Sequence, residues 1–148
     1  MVPDARNTAS LTYAAALRIL PAAAEEAERL GVAVCMAVAD SGGNPLAFGR
    51  MDGAPLMSAK IAQDKAYTVM AFNGLPTHRW YDMIADEPAL LHGIVHTDRL
   101  VIFGGGMPVR AGGELLGAIG VSGGTADQDR AIAEAGAAAV TGRSSRKP

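Results

Sequence analysis

Val38-Ala39-Asp40-Ser41-Gly42-Gly43-Asn44-Pro45-Leu46-Ala47-Phe48-Gly49-Arg50-Met51-Asp52-Gly53-Ala54 reads as a strand, a tight turn and a return strand. Gly42, Gly43 and Asn44 tolerate positive φ, which is the chemistry of a hairpin turn. Pro45 is acceptable at the first position of a strand. Two-residue alternation puts Leu46, Phe48 and Arg50 on one face of the return strand, with Ala47, Gly49 and Met51 on the other. The strand ends in a cation and an anion, Arg50 and Asp52. Folding of a short hairpin does not require them, so they are candidate functional residues. An arginine at a strand end can grip a carboxylate bidentately; a local pair between Arg50 and Asp52 is the plainer alternative.

Outward from this hairpin, Val32–Ala39 is almost wholly apolar, as expected for a strand covered on both faces. Before it, Leu11–Leu30 is rich in Ala, Leu and Glu and predicts a helix closed by Gly31. Pro21 is expected to kink or split that helix. After the hairpin, Leu56–Phe72 predicts a helix with a small-residue face of Ala59, Ala62, Ala66, Val69 and Met70. Thr77–Ile84 predicts a short helix capped by Thr77. Leu100–Phe103 reads as a short strand. Met107–Arg110 and Glu114–Val121 flank Ala111-Gly112-Gly113 as a second hairpin. A last helix runs from Ala126 to about Val140, with Asp127 and Asp129 suiting the dipole of its first turn. Hairpin-joined strands among helices predict an α+β single domain, an antiparallel five-stranded sheet flanked by helices. Its bounds are 11–140, between a flexible start at 1–10 and a flexible basic tail at 141–148.

Bulk properties narrow the function. The chain has 148 residues, the size of one domain. A formal net charge of −2 gives no basic footprint, so nucleic acid is an unfavoured partner. Charged residues make up only 19% of the chain, which fits a homo-oligomer that hides surface. The single cysteine, Cys35, lies in the apolar run and reads as a small buried hydrophobe. No apolar run is long enough for a bilayer and no signal-peptide pattern opens the chain, so a cytoplasmic protein without a membrane partner is expected.

The candidate chemistry is spread along the chain. Gly104-Gly105-Gly106 and Ser122-Gly123-Gly124 expose backbone N–H groups able to cradle an anion, or simply permit close packing. Lys60 and Lys65 lie five apart on the second predicted helix, on different faces. Each is an ordinary surface lysine or, if it faces a pocket, a carboxylate partner or base. His92 and His96 are four apart, one face of a helix, a spacing that can hold a metal ion. No glutamate follows His92, so this is not the zinc-protease helix motif. His78, His92 and His96 are the candidate general bases, with Asp52 beside them. Trp80 and Tyr81 follow His78 and Arg79, where aromatic rings next to cations can line a ligand pocket.

Several of these pieces together resemble the GlcG/HbpS family, also met as the C-terminal domain of PduO-type proteins. They are Ala37–Asn44, Arg50-Met51-Asp52-Gly53-Ala54, Lys65-Ala66-Tyr67-Thr68, Gly104–Val109, and Gly117–Gly124 followed by Asp127–Asp129. The resemblance implies a compact antiparallel sheet with helices on its faces, in a homo-oligomer, and a haem-binding or haem-degrading role in some members. On that reading a histidine sits on the iron, with Arg50 or a lysine such as Lys65 on the propionates. Phe48, Met51, Trp80 and Tyr81 then line the pocket. A second reading is a cofactor-independent isomerase, tautomerase, hydratase or lyase acting on a small carboxylate. There Arg50 clamps the substrate and a histidine, oriented by Asp40 or Asp52, moves the proton. A third is a scaffold or partner of a larger enzyme, with a filled core.

Overall fold

A computed structural model describes residues 2–140. The expected tail at 141–148 lies outside the described residues. The elements are α1 (Tyr13–Leu30), β1 (Cys35–Ala39), β2 (Pro45–Arg50), α2 (Met57–Ala71), a 3-10 turn (Thr77–Arg79), α3 (Trp80–Ile84), α4 (Pro88–Gly93), a second 3-10 turn (Ile94–His96), β3 (Gly106–Ala111), β4 (Glu114–Ser122) and α5 (Ala126–Ala137).

All strand pairs are antiparallel, in the order β2-β1-β4-β3. The sheet has four strands, not five. Leu100–Phe103 does not join it; the chain is tied at Arg99 and Val101 to the Thr68 hydroxyl of α2 instead. Thr68 Oγ1 donates to the Arg99 carbonyl at 2.9 Å and accepts from Val101 N–H at 3.0 Å. Those two backbone groups are then met without a strand neighbour.

Residue size sorts the two faces of the sheet. Met36, Val38, Ile119 and Val121 face α1 and α5, joining Ile19, Ala23, Ala27, Ile132 and Ala133 in the larger core. Cys35, Ala37, Ala39 and Ala118 face α2, against Ala62, Ala66 and Val69. The small-residue side lets α2 sit close. A Cβ at Gly120 would lie 2.0 Å from the Ala62 carbonyl oxygen. Every residue of β1 is buried, as an apolar strand covered on both faces should be.

The first hairpin forms as its residues predict. Asp40 Oδ1 accepts from Gly42 N–H and Asn44 N–H at 2.9 and 3.0 Å, and Gly43 has φ 80°. The register slips between Val38 and Ala39, so Leu46 is an extra, bulged residue. It therefore packs with Ala47 on the α1 side, not with Phe48 and Arg50 as strict alternation predicts. Two further expectations change. Helix α1 runs unbroken through Pro21, whose ring is exposed while Ala16, Ile19, Ala23 and Ala27 bury the opposite face; packing outweighs the lost hydrogen bond. Thr77 caps no helix; its Oγ1 accepts from Gly106 N–H at 2.8 Å and pins the first 3-10 turn to the start of β3.

Candidate functional site

Lys65 is fully buried, against the surface position its neighbours Asp64 and Tyr67 suggest. Its Nζ donates to the Val121 carbonyl at 2.7 Å and to Asp129 Oδ2 at 3.1 Å. Asp129 Oδ1 accepts from Gly124 N–H at 2.9 Å. The half-exposed Phe103 ring lies 4.9 Å from the ammonium. One lysine thus fastens α2 to β4, to α5 and to both glycine runs. Gly105 has φ 125°, and a Cβ there would come within 2.6 Å of Nζ, so only glycine leaves the ammonium room. Burial pulls the Lys65 pKa below its ordinary value, with Asp129 opposing the shift.

A second polar group lies on the outer side of α2. Asp64 pairs with Lys60 and accepts from Arg99 Nε at 3.0 Å. The Arg99 guanidinium stacks 4.0 Å over Tyr67. Arg99 has φ 64°, a left-handed backbone held by this network and by the Thr68 hydrogen bond. Asp64, Asp98 and Arg99 line an open groove of about 660 Å³.

The histidines separate. His78 lies in the first 3-10 turn, its Cβ 3.4 Å from where a Gly104 Cβ would stand. Its Nδ1 is enclosed with no hydrogen-bond partner among the described residues. Burial, then the positive charge of Arg130 and Arg79, push its pKa down; Glu134 opposes them. His92 lies in the last turn of α4 and His96 closes the second 3-10 turn. Both are exposed, and the run from Pro88 to His96 contains no buried residue at all. Among the described residues, no three of His, Cys, Asp and Glu gather as a metal site.

Arg50 stands opposite Cys35 at the end of β2, on the α2 face with Phe48 as alternation predicts. It forms no ion pair with Asp52 among the described residues; both are exposed. His78 lies toward the other edge of the sheet, beside the glycines that lead into β3. Three strand spacings separate the two edges, roughly 14 Å. Met51 is partly buried against the α1 side core. Trp80 is 2% exposed, packs its ring against Phe72 at 4.7 Å between centroids with a tilt of 52°, and has an enclosed Nε1–H with no partner among the described residues. Tyr81 beside it is 55% exposed. The groove at Asp64 and two others, beside Arg79 and Arg110, are lined by none of Arg50, Met51, Asp52 and the histidines.

Sequence reasoning missed Asp129 as the partner of Lys65, since they lie 64 residues apart and Asp129 has a sufficient local reading in the helix dipole. It also missed Thr68. Arg79 reads in the sequence as a neighbour of Trp80, and Arg110 as the end of a strand.

A four-stranded antiparallel sheet, with α2 on one face and α1 and α5 on the other and a lysine–glycine clasp at one end, defines a class of small α+β domain. Within that class, the chain belongs to the HbpS-like haem-degrading protein family, whose sequence model matches residues 11–138. It is 42% identical over 131 residues to a 15.0 kDa protein from the dhaT-dhaS intergenic region of Citrobacter freundii, covering 87% of this chain and 91% of that one. Its structure matches ORFY of Klebsiella pneumoniae with TM-score 0.86 at 34% identity, over 94% of this chain and 96% of ORFY. It matches PduOC in a haem complex with TM-score 0.80 at 33% identity, over 88% of this chain and 95% of PduOC. No helix among the described residues is long and apolar enough to cross a membrane.

Proposed function

We propose that this protein binds haem on the exposed segment Pro88–His96, with His92 or His96 on the iron. The observation that carries the reading is that this segment is apolar yet has no buried residue. Leu90 and Val95 are 37% and 44% exposed, and Leu91 and Ile94 are only half-buried. A folded domain leaves apolar side chains together on its surface where something else covers them. The run is helical from Pro88 through His96, so two imidazoles four residues apart stand on nearly the same side. An apolar surface bearing accessible imidazoles suits a flat macrocycle with a metal at its centre.

The haem complex of PduOC supports the ligand class. When bound, haem supplies a redox-active iron; the chain's own residues supply the apolar seat and the imidazole nitrogen. The proposal is of binding, and no residue is assigned a part in breaking the macrocycle. It includes a cytoplasmic homo-oligomer. Leu56 and Met57, 87% and 75% exposed at the start of α2, support self-association.

The test is a haemin titration of purified protein followed by visible absorption. Wild type and His78→Ala are expected to give a saturable Soret shift. His92→Ala/His96→Ala together is expected to lose it. No shift in wild type, or a shift that survives the double substitution, overturns this assignment.

A further inference from the structure

We infer that the groove between the α2–α3 connection and the edge strand β3 is a binding site for a carboxylate carried on an aromatic or apolar body. Its volume is about 460 Å³, within the range of small-molecule sites. Phe72, Leu75 and Pro108 give it apolar walls, and Arg79 and Arg110 give it two guanidiniums. A shallower hollow of about 360 Å³ continues it, sharing Leu75 and Arg79 and adding Asp82 and Met83.

The groove's own lining carries two guanidiniums and no acid. Neither Arg79 nor Arg110 is ion-paired among the described residues. Two acids lie close along the chain: Asp82, three residues after Arg79, and Glu114, opposite Ala111 in the β3–β4 hairpin. Neither pairs with these arginines. Two like charges lining one depression repel each other, and an anion between them removes that repulsion. The planar fork of arginine matches a carboxylate.

The groove is also shaped for its arginine. Gly74 has φ 87°, and a Cβ there would stand 2.8 Å from Arg110 Nη2, so glycine makes room for the guanidinium. Arg110 Nη1 donates to the Gly113 carbonyl at 3.3 Å, which orients the side chain and leaves most of its donors free. Pro108 has no N–H to offer a further strand, which disfavours strand pairing where the groove meets this edge.

Trp80 provides the readout. It is the only tryptophan in the chain, and its ring packs at a tilt against the groove residue Phe72, 4.7 Å between centroids. Phthalate is the first probe, with two carboxylates for two guanidiniums, followed by benzoate, neutral benzamide and inorganic phosphate. Phthalate is expected to change Trp80 emission saturably. Benzoate should bind more weakly, and benzamide and phosphate should leave the emission unchanged. Arg79→Gln and Arg110→Gln are each expected to weaken phthalate by about tenfold or more, while Arg110→Lys falls between. Arg50→Gln, at the opposite edge of the sheet, should bind like wild type. The inference is overturned if phthalate gives no saturable change, if Arg79→Gln/Arg110→Gln binds like wild type, or if phosphate matches phthalate. These colourless probes need no histidine or iron, so this experiment and the haemin titration fail independently.

Discussion

At the scale of the residue, Lys65 shows how one side chain holds several elements. Its ammonium is removed from water, and only Asp129, the Val121 carbonyl and the Phe103 ring replace that water. Removing one member of a buried pair leaves the other charge uncompensated and costs about 3–5 kcal/mol. Lys65→Met is therefore expected to lower the unfolding free energy by that order, read from urea denaturation. Lys65→Met/Asp129→Leu should recover a good part of it, because no lone charge remains. A double variant no more stable than the single one would show that the lysine acts through packing alone. The pair also marks a limit of sequence reading. Lys65 stands out as a candidate, but Asp64 and Tyr67 beside it point to the surface. Its burial is set by β4 and α5, far along the chain.

At the scale of the element, the faces of the sheet are divided by size. Helix α2 approaches β4 so closely that Gly120 has no room for a methyl group, since a Cβ would meet the Ala62 carbonyl at 2.0 Å. Backbone cannot step aside as a flexible side chain can. Gly120→Ala is expected to cost about 3 kcal/mol, the upper end of overpacking, read as a fall in thermal or urea stability. Gly93→Ala is the contrast. Nothing lies within 4 Å of a Cβ there and its backbone is right-handed helical, so the alanine should be neutral or stabilise by about 0.5–1 kcal/mol. Equal losses at the two positions would refute the close-packing account. The glycine runs in the sequence signal tight geometry; which glycine is indispensable depends on what each one faces.

At the scale of the whole molecule, the chain carries one imidazole whose burial makes acid unfavourable to folding. The His78 pKa is held below its ordinary 6.5 first by burial, then by Arg130 and Arg79, against Glu134. A folded pKa below the unfolded one means the unfolded chain binds the proton more readily. Stability is then lost as pH falls through 6.5 and on through the lower folded value, and is regained above 6.5. His78→Gln is expected to flatten this part of the stability profile, measured as urea midpoint against pH. Parallel profiles for the two proteins would refute it.

What the sequence by itself determined is what local chemistry enforces. Gly42-Gly43-Asn44 and the Asp40 side chain make the first hairpin, and Ala111-Gly112-Gly113 makes the second. Gly31 ends α1, and the small-residue stripe of α2 marks its buried face. The ordered set of such pieces identified the family. What only the tertiary structure decided are the outcomes that depend on partners distant in the chain. Thr68 ties the chain at Arg99 and Val101 to α2, and the sheet keeps four strands. The core against α1 carries the helix through Pro21. Asp129 and Val121 draw Lys65 inside. Arg79 and Arg110, 31 positions apart by their numbering, meet in one groove. A turn or cap is settled within a few residues by steric limits on φ and by one hydrogen bond. A buried charge or a shared groove is settled by which surfaces the completed fold brings together.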